Sequence, residues 1–419
     1  MENDSHDHLG AILLAGFSAL TILFLLAGAA LMLAAGFEEW QTTRNVTGSL
    51  LPAFLYLAAF LLSAGLIARA GLLALRRIQN RQIEELQFQP ISIWLVLALF
   101  AGWILSIVIA VLLHQKAILQ WFSLPFYLLA IGLPVYGLIR LGTGGLGLGS
   151  KLRAWSALSA GMTVAPFLAI LGEGLVALIA IVGIAIFLGG DPQKLAAMKE
   201  LGEQLKNIPT QEAAIQLLGP YLSNPLTLVG GLFFLSLVTP LVEETAKSLP
   251  VWIIWRKLES PAQGFALGAL SGAGFGLMEG LFISANPGDT WGATLTIRAA
   301  SSAMHIITSG LIGWGIGLSA QQKRVWPALG RYLLGISIHG IWNACVVIMV
   351  YASVSTLLSG GNPNVFAALI VLLLFGFLGL LILAAPIVLW AINRQLRKSL
   401  PAPVAIVSME TPPAENMVG

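Results

Sequence analysis

Residues 226–255 read LTLVGGLFFLSLVTPLVEETAKSLPVWIIW. This stretch is long enough to cross the hydrocarbon core of a bilayer, which takes about 20 apolar residues in a helix. Three charged residues nevertheless lie inside it: Glu243, Glu244 and Lys247. Because a charge at mid-membrane depth is energetically unfavourable, such residues usually face the interior of a helix bundle or a polar cavity. The stretch therefore indicates a membrane protein with a polar site inside the bilayer.

The composition of the whole chain agrees with this interpretation. Of its 419 residues, 57% are hydrophobic and only 10% are charged, and the mean hydropathy of +0.87 is far above that of a soluble domain. The net charge of +3 comes from basic residues in short loops between apolar segments. That distribution follows membrane topology and gives no reason to expect a nucleic-acid partner. Cys345 is the single cysteine, so no disulfide can form within the chain.

Ten apolar segments are long enough to span a bilayer, and we predict an all-α, polytopic transmembrane helix bundle of about ten spans. Lys and Arg are concentrated in alternate loops, which we expect to be cytoplasmic. An even number of spans then places both termini in the cytoplasm. The expected spans are residues 10–36, 50–75, 91–113, 119–139, 157–188, 226–255, 262–285, 294–320, 325–353 and 364–392.

The same pattern divides the chain into five regions. They are 1–141, an N-terminal four-span module of unknown role; 142–225, a Gly-rich hinge with the fifth span and an extracytoplasmic amphipathic loop; 226–353, a four-helix membrane core that carries the polar site; 354–398, the C-terminal span; and 399–419, a disordered cytoplasmic tail.

Two parts of the second region invite a closer interpretation. Residues 142–150 read GTGGLGLGS, which is typical of a flexible linker. The stretch contains G-x-G-x-x-G, but a membrane span precedes it where a nucleotide-binding fold needs a strand, so we expect no nucleotide there. The fifth span is overlong and should be tilted, broken or extended past the bilayer. After it, Asp191-Pro192 predicts the start of an amphipathic surface helix.

Four successive spans within 226–353 carry ionisable or amide groups at similar depth. At 1.5 Å per residue, Glu243, His305 and His339 lie roughly 18–22 Å from the cytoplasmic ends of their helices, and Glu279 lies roughly 25 Å in. Helical spacing places several of these groups on common faces. The expected pairs are Glu243 with Lys247, Glu244 with Lys247, Arg298 with His305, and His339 with Asn343.

The order and spacing of these groups resemble the motif set of PrsW-type intramembrane proteases, relatives of the CAAX prenyl protease and bacteriocin-processing group. The matching residues are Glu243-Glu244-x-x-Lys247, Phe275-x-x-x-Glu279, His305 with Gly313, and His339-x-x-x-Asn343. The resemblance covers about residues 226–350. Two positions differ between the branches: the prenyl-protease branch has histidine where this chain has Glu279, and PrsW-like members often have aspartate where this chain has Asn343.

The resemblance implies an enzyme that hydrolyses peptide bonds of membrane-protein substrates. The implied catalytic residues are Glu243, Glu244, Glu279, His305, His339 and Asn343, supported by Lys247 and Arg298. Glu243 would act as the general base on a water that His305 helps to hold. His339 and Asn343 would stabilise the oxyanion, and Glu279 would donate a proton to the leaving amine. PrsW-like proteins of prokaryotic cell membranes are implicated in cleaving anti-sigma factors.

The sequence is compatible with two kinds of mechanism, one without a cofactor and one with a metal ion. The site could work without a cofactor, by a glutamic mechanism, or with a divalent metal such as Zn²⁺. The candidate metal ligands are Glu243, Glu279, His305 and His339. Two other classes of function are open as well: a proton-coupled transporter, because intramembrane acids and histidines also form proton relays, or a non-enzymatic membrane scaffold.

Two further features concern packing around the site. Glycines recur every four residues on the seventh span, at Gly264, Gly268, Gly272, Gly276 and Gly280. Such a stripe lets another backbone come close, and we expect ordinary helix packing there. The functional alternative is that the stripe seats this helix against the active-site helices. Glu173, on the fifth span, has no motif around it, and we expect a structural or gating role.

Overall fold

The computed structural model describes residues 2–116, 118–189, 191–206, 208, 211–222, 224–358 and 365–400. The elements are α1 Glu2–Thr43, α2 Val46–Ile78, β1 Glu85–Gln87, α3 Ile93–His114, α4 Ser123–Thr143, β2 Gly147–Ser150, α5 Lys151–Met162, α6 Val164–Gly189, α7 Pro192–Lys206, α8 Gln211–Leu222, α9 Pro225–Phe233, α10 Thr239–Ile253, α11 Pro261–Ile283, α12 Trp291–Gln322, α13 Trp326–Leu358 and α14 Val365–Lys398.

Ten helical segments in the described part of the chain are long and apolar enough to cross a membrane. They coincide with the ten expected spans, which confirms the all-α polytopic bundle. The fifth segment, Lys151–Ile186, is broken as its length predicts: α5 ends at Met162 and α6 begins at Val164. Pro166 lies in the first turn of α6, where a helix tolerates a residue without an amide hydrogen.

Helices α11 and α12 form the centre of the bundle. Of their most apolar windows, 78% and 83% are buried, against 6–44% for the other eight candidate spans. The glycine stripe makes this close approach possible. A Cβ atom at Gly264, Gly268 or Gly272 would collide with backbone carbonyl oxygens of α12, the last of them that of His305. The stripe therefore packs this helix closely against α12, the helix that carries His305.

The Gly-rich segment after α4 is not the flexible linker that its composition predicts. Residues 147–150 form β2, which pairs antiparallel with β1, with Glu85 opposite Ser150 and Gln87 opposite Gly147. An ion pair between Lys151 and Glu84 continues the pairing beyond the strands. The glycines serve the turn before the strand and the strand itself, since Gly145 and Gly149 have φ values of +80° and +73°. The segment thus holds α4 and α5 in a defined arrangement.

The loop after the fifth span contains the expected helix where the structure describes it. Asp191 caps α7, accepting from the amides of Gln193 at 3.1 Å and Lys194 at 3.3 Å. The expected surface helix is therefore present as α7. Of the expected disordered tail 399–419, residues 401–419 lie outside the described part of the chain.

Candidate active site

A widened helical turn leads into the site. Residues 234–238 form one π-helical turn between α9 and α10, and Pro240 follows. Asn343 Nδ2 donates to the carbonyl oxygen of Leu235 in this turn at 2.7 Å. Gly340 packs so closely that a Cβ atom there would collide with the Ser236 carbonyl oxygen. The wide turn, a feature often found at functional sites, thus brings α13 against the start of α10.

Lys247 is the centre of the polar cluster. Its ammonium group donates to Glu243 Oε2 at 3.0 Å and His305 Nδ1 at 2.8 Å, and it lies 2.7 Å from Glu244 Oε1. An ammonium group has three hydrogens and accepts nothing, so these contacts use its full capacity. The expected pairs of Lys247 with both glutamates are present. The contact with His305 joins α10 to α12 inside the bundle.

Glu244 is fully buried, and both of its carboxylate oxygens accept hydrogen bonds. Besides Lys247, its carboxylate accepts from His339 Nδ1 at 2.9 Å and from the Ser309 hydroxyl at 3.3 Å. None of its side-chain surface is exposed. A carboxylate with this many buried donors is held in place and is closed to water. Glu244 therefore positions its neighbours.

Glu243, one residue earlier, faces a different environment. Its side chain is 12% exposed, while that of Lys247 is completely buried. Its Oε2 lies 3.8 Å from His339 Nε2, the ring nitrogen opposite the one that Glu244 holds. Of the two adjacent glutamates, Glu243 is the one that a water molecule can reach.

Glu279 joins the cluster directly. Its Oε2 accepts from His305 Nε2 at 3.0 Å, and its Oε1 pairs with Arg298 at 2.6 Å. Arg298 was expected to pair with His305, but Glu279 lies between them and contacts both. Because Lys247 can only donate to His305 Nδ1, the His305 hydrogen must be on Nε2 and point to Glu279. A carboxylate that accepts from two donors has no proton to give, so the donor role expected of Glu279 does not fit its contacts.

Asn343 and His339 have separate partners. They were expected to pair one turn apart on α13, but His339 contacts Glu244 and Asn343 contacts Leu235. The expectation considered α13 alone, whereas these partners belong to the segment of chain packed against it. The Asn343 amide keeps a second hydrogen after donating to Leu235.

The residues that could hold a metal ion are Glu243, His305 and His339. One ligand atom from each lies within 4.8 Å of the others. Two imidazoles and a carboxylate are a ligand set that catalytic zinc uses, and Glu244 orients His339 as outer carboxylates orient zinc ligands. The set therefore fits in type and spacing. Both ring nitrogens of His305 are already engaged, by Lys247 and Glu279. The fourth candidate, Glu279, lies outside this group.

Sequence reasoning assigned no role to two residues that support the cluster. The Phe275 ring lies 4.4 Å from Lys247 Nζ and 5.0 Å from the His305 ring. Ser309 donates to Glu244 and is four residues after His305, so helical spacing from His305 could have indicated it. Both side chains restrict the motion of charged groups in the site.

Glu173, on α6, borders the cluster. Helix α6 packs on α10 through Ala165 and Ala169, and Gly172 abuts Val242. This packing brings Glu173 within electrostatic reach of Glu243, Lys247 and Glu279. Its Oε1 is buried and makes no hydrogen bond to any residue that the structure describes. A buried carboxylate oxygen without a hydrogen bond is unusual and needs an explanation.

Comparison with known proteins gives a family match. The model of a family described as "PrsW family intramembrane metalloprotease" matches residues 154–380, which is more than half of the chain. The matched range contains the whole polar cluster and also Glu173. No curated protein and no solved structure matches the chain.

Proposed function

Because the chain belongs to the PrsW family of intramembrane proteases, we propose that it cleaves membrane-protein substrates with a water molecule that Glu243 activates. Side-chain exposure supports Glu243 as the base over the neighbouring Glu244, because Glu243 is 12% exposed and Glu244 is fully buried. A general base must be within reach of water and substrate, and the cluster can be reached at Glu243.

The contacts suggest how the water is held. His339 Nε2 makes no hydrogen bond within the described ranges and lies 3.8 Å from Glu243 Oε2. A water molecule between Glu243 Oε2 and His339 Nε2 can donate one hydrogen to each of these two atoms. Its oxygen then attacks the scissile carbonyl carbon, and its proton passes to Glu243. His305, which was expected to hold the water, positions Lys247 and Glu279 instead.

Charge on the tetrahedral intermediate needs a donor. The free hydrogen of the Asn343 amide can point to the oxyanion, as the resemblance implies for this position. Lys247 keeps its contact with Glu243 and offsets the negative charge of the site.

The ion implied by the family description would be held by Glu243, His305 and His339. When bound, a divalent ion acidifies its water and polarises the substrate carbonyl. The base and a positive charge are nevertheless present in the chain itself, as Glu243 and Lys247.

Removal of divalent ions is expected to leave cleavage unchanged. Lys247 already occupies His305 Nδ1 and Glu243 Oε2, so an ion would have to displace its contacts. The rate would be measured on protein dialysed against EDTA and against 1,10-phenanthroline, with the zinc content determined by elemental analysis. A cleavage rate that falls with the zinc content and recovers when zinc is added would contradict a mechanism that works without a metal ion.

Glu173 is the proposed source of the proton for the leaving amine. The Arg298 and His305 contacts occupy Glu279, whereas the buried Oε1 of Glu173 has no hydrogen-bond partner in the described chain. Glu173→Gln removes the proton and keeps the shape, so we expect kcat to fall about 10²-fold, in the range of general acid catalysis, with KM little changed. A Gln variant with wild-type kcat would return Glu173 to a structural role.

The proposed substrates are single-span regulators of the anti-sigma-factor type. We also propose the cytoplasmic placement of both termini, the prokaryotic cell membrane and the relationship to the prenyl-protease group, on the grounds of loop charge and motif order. The test is cleavage of candidate single-span proteins by purified enzyme in lipid vesicles, with the new termini identified by mass spectrometry. Absence of cleavage across a broad panel of such substrates would count against this substrate class.

A further inference from the structure

A cavity that none of the cluster residues lines has an unusual charge. It has a volume of about 480 Å³ and lies where α4 and α14 end. Four basic side chains line it: Arg140, Arg394, Arg397 and Lys398. Among the residues that the structure describes, no acidic one lines the cavity. Like charges that converge in one cavity repel each other, and a bound anion would relieve that repulsion.

The basic groups have no acidic partner in the described part of the chain. Arg140 donates to the Tyr136 hydroxyl at 2.6 Å and the Gln89 carbonyl at 3.2 Å, while its Nε is buried without a partner. Arg394 lies against the Trp390 ring, 5.4 Å from its centroid. These contacts orient the guanidinium groups but leave their charge uncompensated.

The backbone around the cavity is held rigidly. Asn393 Nδ2 donates to the carbonyl oxygens of Gly142 at 3.0 Å and Gly144 at 2.9 Å, which fastens α14 to the end of α4. Gly145 approaches Arg397 so closely that a Cβ atom there would lie 2.9 Å from its Nε. The basic side chains are therefore presented from a fixed frame.

An apolar groove lies beside the cavity and shares Leu141 with it. Its walls include Leu99 and Trp103 of α3, Gly137 of α4 and Ala303 of α12. The groove runs toward the middle of the spans, since Ala303 is twelve residues after the start of α12. A basic cavity at a helix end with an apolar groove below it matches a molecule with an anionic head and a hydrocarbon chain.

We propose that this is a binding site for an anionic phospholipid. The phosphate group would lie among the arginines, whose paired N–H groups suit phosphate oxygens, and an acyl chain would fill the groove. Basic sites between transmembrane helices at a membrane face bind such headgroups. The acyl chain of the lipid would contact Ala303 on α12, the helix that carries Arg298 and His305. The bound lipid would thus stabilise the packing behind the active site.

The experiment compares three probes on delipidated protein in mild detergent: dioleoyl phosphatidylglycerol, dioleoyl phosphatidylcholine and inorganic phosphate. Binding is followed by native mass spectrometry and by the rise in Tm. Phosphatidylglycerol should be retained and should raise Tm more than either other probe. Two outcomes would overturn the proposal: equal retention of the two lipids, or the full effect with inorganic phosphate alone, which would indicate a free-anion site.

Two variants test separately how much the basic side chains and the apolar groove contribute to lipid binding. Arg394→Gln with Arg397→Gln removes two charge-assisted contacts and should weaken phosphatidylglycerol binding about tenfold or more. Gly137→Leu fills the groove and should also lower retention with every charge in place. Matched controls are Arg324→Gln, an exposed arginine outside the cavity, and Gly132→Leu, where an added Cβ meets no atom within 4 Å. Wild-type binding by both test variants would contradict the assignment.

Discussion

Replacement of Glu243 by glutamine is expected to lower kcat/KM for peptide-bond cleavage by about 10³-fold, within the range for loss of a general base. Glutamine keeps the shape of the side chain but cannot take a proton from water. Lys247 can still donate to the amide oxygen, and it keeps its contacts with Glu244 and His305. The cluster should therefore stay assembled while the chemical step is lost. The measurement is the initial rate of cleavage in lipid vesicles.

The control for this variant is Glu39→Gln, which makes the same chemical change at the exposed end of α1. It should cleave at the wild-type rate. The Tm of Glu243→Gln should stay close to that of the wild type, so that loss of activity is not loss of fold. Cleavage by Glu243→Gln at the rate of the control would remove Glu243 from its role as base.

Replacement of Glu244 by leucine is expected to affect stability first. Glu244 is the acceptor for Lys247, His339 and Ser309 in a region with no exposed surface. Removing one partner of a buried ion pair leaves the other charge uncompensated, which costs about 3–5 kcal/mol. We expect a large drop in the Tm of the detergent-solubilised protein, and inactivity as a consequence.

A second substitution tests the cause of this drop. Adding Lys247→Met to Glu244→Leu removes the uncompensated charge, and apolar side chains can replace a buried pair at little cost. The double variant should recover much of the lost Tm and remain inactive. If Glu244→Leu alone unfolds at the temperature of Glu243→Gln, the distinction between a buried positioning glutamate and a reachable base is wrong.

The two contacts that Lys247 makes within its own helix could be predicted from spacing alone. Glu243 and Glu244 lie four and three residues before Lys247, and helical geometry places both beside it. Contacts between helices could not be predicted in the same way. Spacing describes the rotation of a residue on its own helix, but not which neighbour the helix faces.

Glu279 shows this limit clearly. It was expected to lie somewhat further from the cytoplasmic end than the other groups, because depth was counted along straight, separate helices. The glycine stripe of α11 lets the backbone of α12 approach, and this approach brings Glu279 onto both Arg298 and His305. Helix packing thus decided the partners of Glu279.

The strand pairing after α4 could not be predicted from the sequence for a related reason. Residues 85–87 and 147–150 are far apart in the chain, and runs of three and four residues are too short for an alternation of apolar and polar residues to indicate a strand. Composition therefore favoured a linker. The pairing depends on α2, α4 and α5 holding the two segments side by side.

Hydrolysis by activated water is tested most directly by an isotope experiment. Purified enzyme in vesicles would cleave a single-span substrate in H₂¹⁸O, and the new carboxyl terminus would be analysed by mass spectrometry. Direct attack by water predicts one ¹⁸O atom in the first-turnover product of the wild type, and almost no product from Glu243→Gln. A product without ¹⁸O, or labelled product from Glu243→Gln at the wild-type rate, would contradict the account.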